Sequence, residues 1–220
     1  MAAQKQELNV VIDPKFYNDY FDALLSGDRQ ACTQMVKTLL DQRIHIKTLY
    51  RELFEKSLYQ IGDLWERNKI SVAKEHLVTA ITESLLNQVY PHLFQKKPTG
   101  RKVVISCAAN EHHQIGGKMV ADIFGMNGWD SYFLGANTPI DQMTQFIHET
   151  KPDLVGLSLS IYFNMPSLKK GIDAISSQFP NLEIVIGGQA FRWGELPSLK
   201  EYKNVTYLSS LDELEGQLKD

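Results

Sequence analysis

Glu111 and His113 stand two residues apart in the run Ala108-Ala-Asn-Glu-His-His-Gln-Ile-Gly-Gly117. An imidazole beside a carboxylate is the pairing a metal-ligating histidine uses: one ring nitrogen binds the metal and the other donates to the acid. In an extended loop, side chains two positions apart can lean the same way. The run follows the strand-like Lys102-Val-Val-Ile-Ser-Cys107 and leads into a helical pattern from Ile115. It therefore reads as the loop between a parallel strand and its crossover helix, at the carboxyl edge of a sheet, where open α/β folds bind ligands. It lacks the glycine-rich phosphate cradle of a dinucleotide site. Taken alone, the same residues also fit a polar surface loop.

The elements that must position this loop fall into two halves. Residues 1–12 read as a disordered leader, and Asp13-Pro14 as a cap followed by proline at the first helical position. Phe16, Tyr17, Tyr20, Phe21, Leu24 and Leu25 then recur at helical spacing until Gly27. Asp28 opens a second helix with Cys32, Met35, Val36, Leu39 and Leu40 on one stripe. A third, read as one continuous helix, carries Ile46, Leu49, Tyr50, Leu53, Phe54, Leu58, Ile61, Leu64 and Trp65. Ser71 caps a fourth, which ends or bends at Pro91. Residues 13–94 thus form a four-helix bundle with short connections, and 95–101 form a polar linker with Pro and Gly.

Beyond the linker the period changes. Strand-like segments at 102–107, 130–133, 153–160, 183–187 and 205–208 alternate with helical patterns near 115–127, 139–150, 166–178 and 211–219. The assignment of 189–200 stays open. This alternation predicts a five-stranded, parallel, flavodoxin- or Rossmann-like sheet over 102–220, with its ligand crevice between the ends of strands one and three. The loop of Glu111 and His113, the strand end at Ser158 and Ser160, and Gly187-Gly188 after strand four should then line one crevice. Paired glycines admit a bulky group close to the backbone, and equally fit a tight turn.

Composition narrows the classes. At 43% hydrophobic and 22% charged, the 220 residues have the make-up of a globular protein with a sizeable core. A formal charge of −3 at pH 7 shows no basic face for nucleic acid. The N-terminus is too polar for a signal peptide, and no apolar run approaches a membrane span. Cys32 and Cys107 suggest no disulfide framework. A cytoplasmic location is the expectation.

The motifs together resemble the cobalamin-binding domain shared by corrinoid enzymes, methyl-carrier proteins and cobalamin-dependent regulators. That family's pattern is D-x-H-x-x-G, then S-x-L, then G-G. Glu111-His112-His113-Gln114-Ile115-Gly116 supplies the first part with glutamate for aspartate, Ser158-Leu159-Ser160 the second with serine for leucine, and Gly187-Gly188 the third. The match covers roughly 100–220, and the preceding bundle resembles the cap domain that often accompanies it. The resemblance implies cobalamin bound with its own base displaced and His113 ligating cobalt from below. The nucleotide tail would then pass Ser158 and Gly187-Gly188. Glu111 would fix the tautomer of His113, directly or through water, while His112 is the competing ligand and lacks a carboxylate two residues before it.

The bundle adds Trp65, then nine residues, then Glu75-His76, with Val72 between. This resembles the upper-face signature of photoreceptor regulators that hold adenosylcobalamin. It implies an adenosyl pocket in which Trp65 covers the group, a stacking contact of about 1–3 kcal/mol, while Glu75 and His76 bond ribose or adenine. In some such photoreceptors a histidine directly follows the tryptophan; here Glu66 does.

The leading expectation is a non-enzymatic light or cofactor sensor built on adenosylcobalamin, with methylcobalamin and hydroxocobalamin as other forms of the cofactor. It would have no DNA-binding domain of its own, contact no nucleic acid or membrane directly, and signal through a regulatory partner or homo-oligomerisation. The alternative is a methyl-carrying corrinoid subunit of a methyltransferase system. A phosphoacceptor receiver would need paired acids after strand one and an aspartate near Ser158. A zinc site at Glu111, His112 and His113 lacks a further ligand cluster.

Overall fold

The computed structural model describes residues 11–93, 96–193, 199 and 201–218. Most of the expected leader, residue 95 of the linker and the end of the last expected helix lie outside them. The chain divides into two units, Met1–Leu93 and Phe94–Asp220.

The first unit is helical. α1 (Pro14–Ser26) starts at Asp13, whose side chain accepts the Lys15 N–H, and stops at Gly27, left-handed at φ 88°. α2 (Arg29–Asp41) starts at Asp28, which accepts the Ala31 N–H. α5 (Val72–Val89) starts at Ser71, which accepts the Lys74 N–H. These caps satisfy N–H groups that a helix start leaves unpaired. The apolar stripes bury: Tyr17, Tyr20, Phe21 and Leu24 on α1, Cys32, Val36, Leu39 and Leu40 on α2, and Val78, Ile81, Leu85, Leu86 and Val89 on α5.

The expected third helix is not continuous. It runs as α3 (Ile46–Leu49), a π-helical segment at Tyr50–Glu55, and α4 (Lys56–Glu66). Tyr50, Leu53 and Phe54 are all fully buried, with the Tyr50 and Phe54 rings 5.9 Å apart. Beyond the wide turn Ser57 rather than Leu58 is buried, and Trp65 is 42% exposed. Wide turns of this kind cluster at functional sites in helices.

The second unit is a parallel sheet of β1 (Lys102–Cys107), β2 (Asp130–Gly135), β3 (Leu154–Ser158), β4 (Glu183–Gly187) and β5 (Val205–Tyr207) in the order β2-β1-β3-β4-β5. Its crossover segments are α6 (Ile115–Met126), α7 (Ile140–Thr150) and α8 (Met165–Gln178), with short α9 (Ala190–Trp193) in the stretch left open by the sequence, and α10 (Leu211–Gln217) follows β5. The order reverses between β1 and β3, which opens the crevice expected there. β1 and β3 are buried along almost their whole length, as strands covered on both faces must be.

β3 ends earlier than the expected 153–160. Leu159 donates its N–H to Gly187, but the next two N–H groups, of Ser160 and Ile161, go to a side chain, that of Glu111. Gly188, at φ 119°, turns the chain out of β4, and a Cβ there would lie 2.2 Å from the Leu159 carbonyl oxygen. Gly188→Ala should therefore destabilise the fold by at least about 2 kcal/mol, from strain plus collision. Gly100→Ala, at φ 76° with nothing within 4 Å of its Cβ, should cost only about 1 kcal/mol. Urea unfolding of both variants checks the ranking; equal losses would contradict it.

Candidate cofactor site

The chain leaves β1 with Ala108, whose N–H donates to the Ser158 carbonyl, and turns at Asn110, φ 65°. Asparagine tolerates this left-handed conformation better than most residues. The turn is fastened on three sides. Glu111 N–H donates to the Ala108 carbonyl, Asn110 N–H to Asn137 Oδ1, and Asn110 Nδ2 to Ser167 Oγ. Its result is to point the Glu111 carboxylate inward, where it is fully buried.

Both oxygens of that carboxylate are used. Oε1 accepts the His113 N–H at 2.9 Å and lies 2.6 Å from His113 Nδ1. Oε2 accepts the N–H groups of Ser160 at 3.1 Å and Ile161 at 2.9 Å, and Asn164 Nδ2 at 3.4 Å. Burial alone would raise the pKa of this carboxyl. The hydrogen bonds from the His113 ring and N–H and the Ile161 N–H, with the His113 charge, outweigh it and hold Glu111 down to about 2. An ionised carboxylate only accepts, so Nδ1 of His113 is the donor. The neutral ring then carries its lone pair on Nε2, the nitrogen available to a metal. The His113 side chain is 47% exposed.

The contact between Glu111 and His113 is thus direct. His112 is exposed, and no hydrogen bond to it is among those described. Cys107 is no competing thiolate, because burial and then the Glu111 charge push its thiol up to about 12. α6 begins at Ile115, which is buried; Gln114 Oε1 accepts the Ala136 N–H. A Cβ on Gly116 would meet only Ser158 Oγ, at 4.0 Å, so the space beside Ser158 stays open. Gly117 sits closer, 3.2 Å from the Phe133 ring by the same measure. Gly187 and Gly188 are accounted for by the protein's own backbone, since Cβ atoms there would meet the Leu208 and Leu159 carbonyls at 3.0 and 2.2 Å.

Of the residues predicted from sequence, Glu111, His113 and Ser160 meet through hydrogen bonds, and Ser158 lies beside Gly116. Asn164 and the Ile161 N–H were not foreseen. The upper set belongs to the other unit. There Glu75 Oε2 lies 2.6 Å from His76 Nδ1, and Glu75 Oε1 accepts the Thr79 hydroxyl. Trp65 and Val72, at the facing ends of α4 and α5, are 42% and 52% exposed. Among the described residues no three of His, Cys, Asp and Glu gather around a metal position. One aimed imidazole suits a metal that brings its remaining ligands in a macrocycle. No helix among the described residues is long and apolar enough to cross a membrane.

A helical unit followed by a five-stranded parallel sheet, with one buffered imidazole at its switch point, defines a corrinoid-type fold. The monomethylamine corrinoid protein of Methanosarcina barkeri shares it at a TM-score of 0.79 and 15% identity, over 93% of this chain and 98% of that one. Residues 101–203 match the family described as a B12 binding domain, and residues 17–90 match a second family of the same description. Over these two stretches the chain carries B12 binding domains, and cobalamin is the cofactor they bind. The chain is 35% identical over 91 residues to the HTH-type transcriptional repressor CarA of Myxococcus xanthus, covering 41% of this chain and 31% of CarA. It is 26% identical over 146 residues to the repressor CarH of the same organism, covering 65% and 48%. The matches thus span about a third and about half the length of these two relatives.

Two outcomes follow from the geometry. His113→Ala should abolish nitrogen ligation in the absorption spectrum of bound cobalamin, or abolish binding, whereas His112→Ala should leave both intact; the reverse pattern would reassign the ligand. Glu111 also makes the cofactor-free fold acid-sensitive. Its ordinary value is 4.5 and its folded value about 2, so its contribution is full above 4.5 and fades as pH falls toward 2. The total is about 3 kcal/mol. The stability gap between wild type and Glu111→Gln, from urea unfolding, should narrow by about 2 kcal/mol between pH 7 and pH 3. A constant gap would contradict the assignment.

Proposed function

We propose that the chain is a cobalamin-based light or cofactor sensor. His113 Nε2 would hold the cobalt, and Ser158, Gly116 and the Gly187-Gly188 turn would line the place of the cofactor's nucleotide tail. The observation that carries the reading is the Glu111–His113 clamp: a buried ionised carboxylate that fixes one imidazole tautomer at the sheet's switch point. His112, Gln114, Ile115 and Ser160 complete the lower wall.

Adenosylcobalamin, when bound, supplies a cobalt–carbon bond that visible light breaks. Trp65, Val72, Glu75 and His76 supply the adenosyl contacts in this proposal. Their exposure supports it: an indole and a valine left half open to water gain by being covered. Glu75 and His76 already form one hydrogen-bonded unit, so a ribose would meet a positioned acceptor and donor rather than two mobile side chains. Trp65, Val72, Glu75 and His76 would lose these contacts once the group had left, which would bias the protein between two states. Similarity to two transcriptional repressors supports a regulatory role, carried out through a protein partner or a change of oligomer, in the cytoplasm, with no reaction on a separate substrate. With Glu66 rather than a histidine after Trp65, this position would offer no imidazole to the cobalt after photolysis; unless His76 or another histidine moved in, fresh cofactor would restore the dark form.

Trp65→Ala should weaken adenosylcobalamin binding by about 10-fold or more and hydroxocobalamin binding much less, in line with one lost stacking contact. Size-exclusion chromatography of the adenosylcobalamin complex in darkness and after green light, with a partner screen and spectra on each peak, reads the output. Equal losses for both cofactor forms, with no light-dependent assembly, would favour the methyl-carrier reading. A stable bis-histidine spectrum after light would refute the role given to Glu66.

A further inference from the structure

Six large hydrophobic side chains stand exposed among the described residues: Val11, Trp65, Val72, Tyr90, Tyr162 and Phe163. Trp65 and Val72 belong to the upper set. Tyr162 and Phe163 do not belong to any site named so far, yet they sit together on the short turn between β3 and α8, at 46% and 88% exposure. An isolated exposed apolar residue is ordinary. This pair differs in how its backbone is held.

The turn is pinned at both ends to the carboxylate that aims the axial imidazole. Just before it, the Ile161 N–H donates to Glu111 Oε2 at 2.9 Å. Just after it, Asn164 Nδ2 donates to the same oxygen at 3.4 Å and to the Asn110 carbonyl at 3.1 Å. The Asn164 N–H closes the turn on the Ile161 carbonyl, and Met165 and Leu168 bury directly behind it. Phe163 is fixed between these anchors, its Cα about 3.8 Å from that of Asn164. It has no loose loop with which to fold its ring away from water. The ring is therefore presented on the rim of the crevice, tied through one carboxylate to His113.

We infer that Phe163, with Tyr162 beside it, is a contact for the corrin macrocycle on its His113 side. This rests on the cobalamin reading above. The macrocycle is broad, carries methyl groups around its rim and centres on the atom that His113 would ligate. Covering an aromatic ring at that rim removes apolar surface from water on both partners. The nucleotide tail is assigned in the proposed function to the space beside Ser158 and Gly116, where a Cβ would leave open space. The contact is thus with the ring system rather than the tail, and it adds to affinity without altering the aim of His113.

The test compares wild type, Phe163→Ala and Phe163→Tyr as full-length, cofactor-free protein, titrated with aquocobalamin and with cobinamide, which lacks the nucleotide tail. Phe163→Ala should raise Kd about 10-fold for both corrinoids (about 1.4 kcal/mol), with Phe163→Tyr close to wild type. The nitrogen-ligation signature of the cobalt(II) form should be unchanged in both variants. Unchanged affinity in Phe163→Ala would overturn the inference, as would a loss confined to aquocobalamin, which would assign the ring to the tail. A change of oligomeric state with unchanged Kd would assign it to a second copy of the chain and also overturn it. Failure of wild type itself to take up either corrinoid would sink the cobalamin reading and this inference together, and is read from the wild-type arm alone.

Discussion

A buried negative charge on Glu111 is the constraint around which the second unit is arranged. An isolated carboxylate in a protein interior would give up its charge, because the loss of hydration far exceeds any gain from burial. Here it keeps the charge through the His113 N–H and ring, two backbone N–H groups and an amide. Supplying those donors dictates local structure around it. β3 stops at Ser158 so that Ser160 and Ile161 can face the acid, and Asn110 goes left-handed so that the acid can face them. The same bonds that keep Glu111 ionised set the tautomer of His113. Fold and ligand chemistry therefore share one set of contacts.

The substitution of glutamate for the family's aspartate fits this geometry. The extra methylene lets one oxygen stay on the His113 ring while the other reaches the strand end across the switch point. The hydrogen bond to the ring remains direct. The remaining pieces of the motif act through shape. Gly116 leaves space by Ser158, and Gly188 takes a conformation and a closeness to Leu159 that a Cβ would forbid; Gly117, just beyond the motif, lets α6 approach the Phe133 ring.

Much of this was legible in the sequence, for reasons that can be named. The switch of apolar period after the linker predicted the parallel sheet, and the strand count with crossover helices gave its order. Glu111 and His113 were legible because they are local: two residues apart, between a strand and a helix. The donors to Glu111 Oε2 were not. Two are backbone N–H groups, which carry no side-chain signal, and Asn164 is remote in sequence and chemically unremarkable on its own. The π-helical turn at Tyr50–Glu55 escaped because Leu49, Tyr50, Leu53 and Phe54 recur at spacings that an α-helix serves equally well. Gly187-Gly188 fitted a tight turn as well as room for a bulky group, and the carbonyls of Leu208 and Leu159 crowd the positions where Cβ atoms would stand. The exposed Tyr162 and Phe163 look like any apolar step into a helix until the pinned turn is seen.

The account stands on His113 as the protein's nitrogen on cobalt. The most direct measurement is electron paramagnetic resonance of cobalt(II) cobalamin bound to protein made with histidine carrying heavy nitrogen, of nuclear spin one-half. Ligation by His113 predicts that each cobalt line splits into a doublet in labelled protein and a triplet in unlabelled protein, and that His113→Ala loses the splitting in both. A triplet that persists in labelled protein would show the cofactor's own base still bound, and would contradict the account.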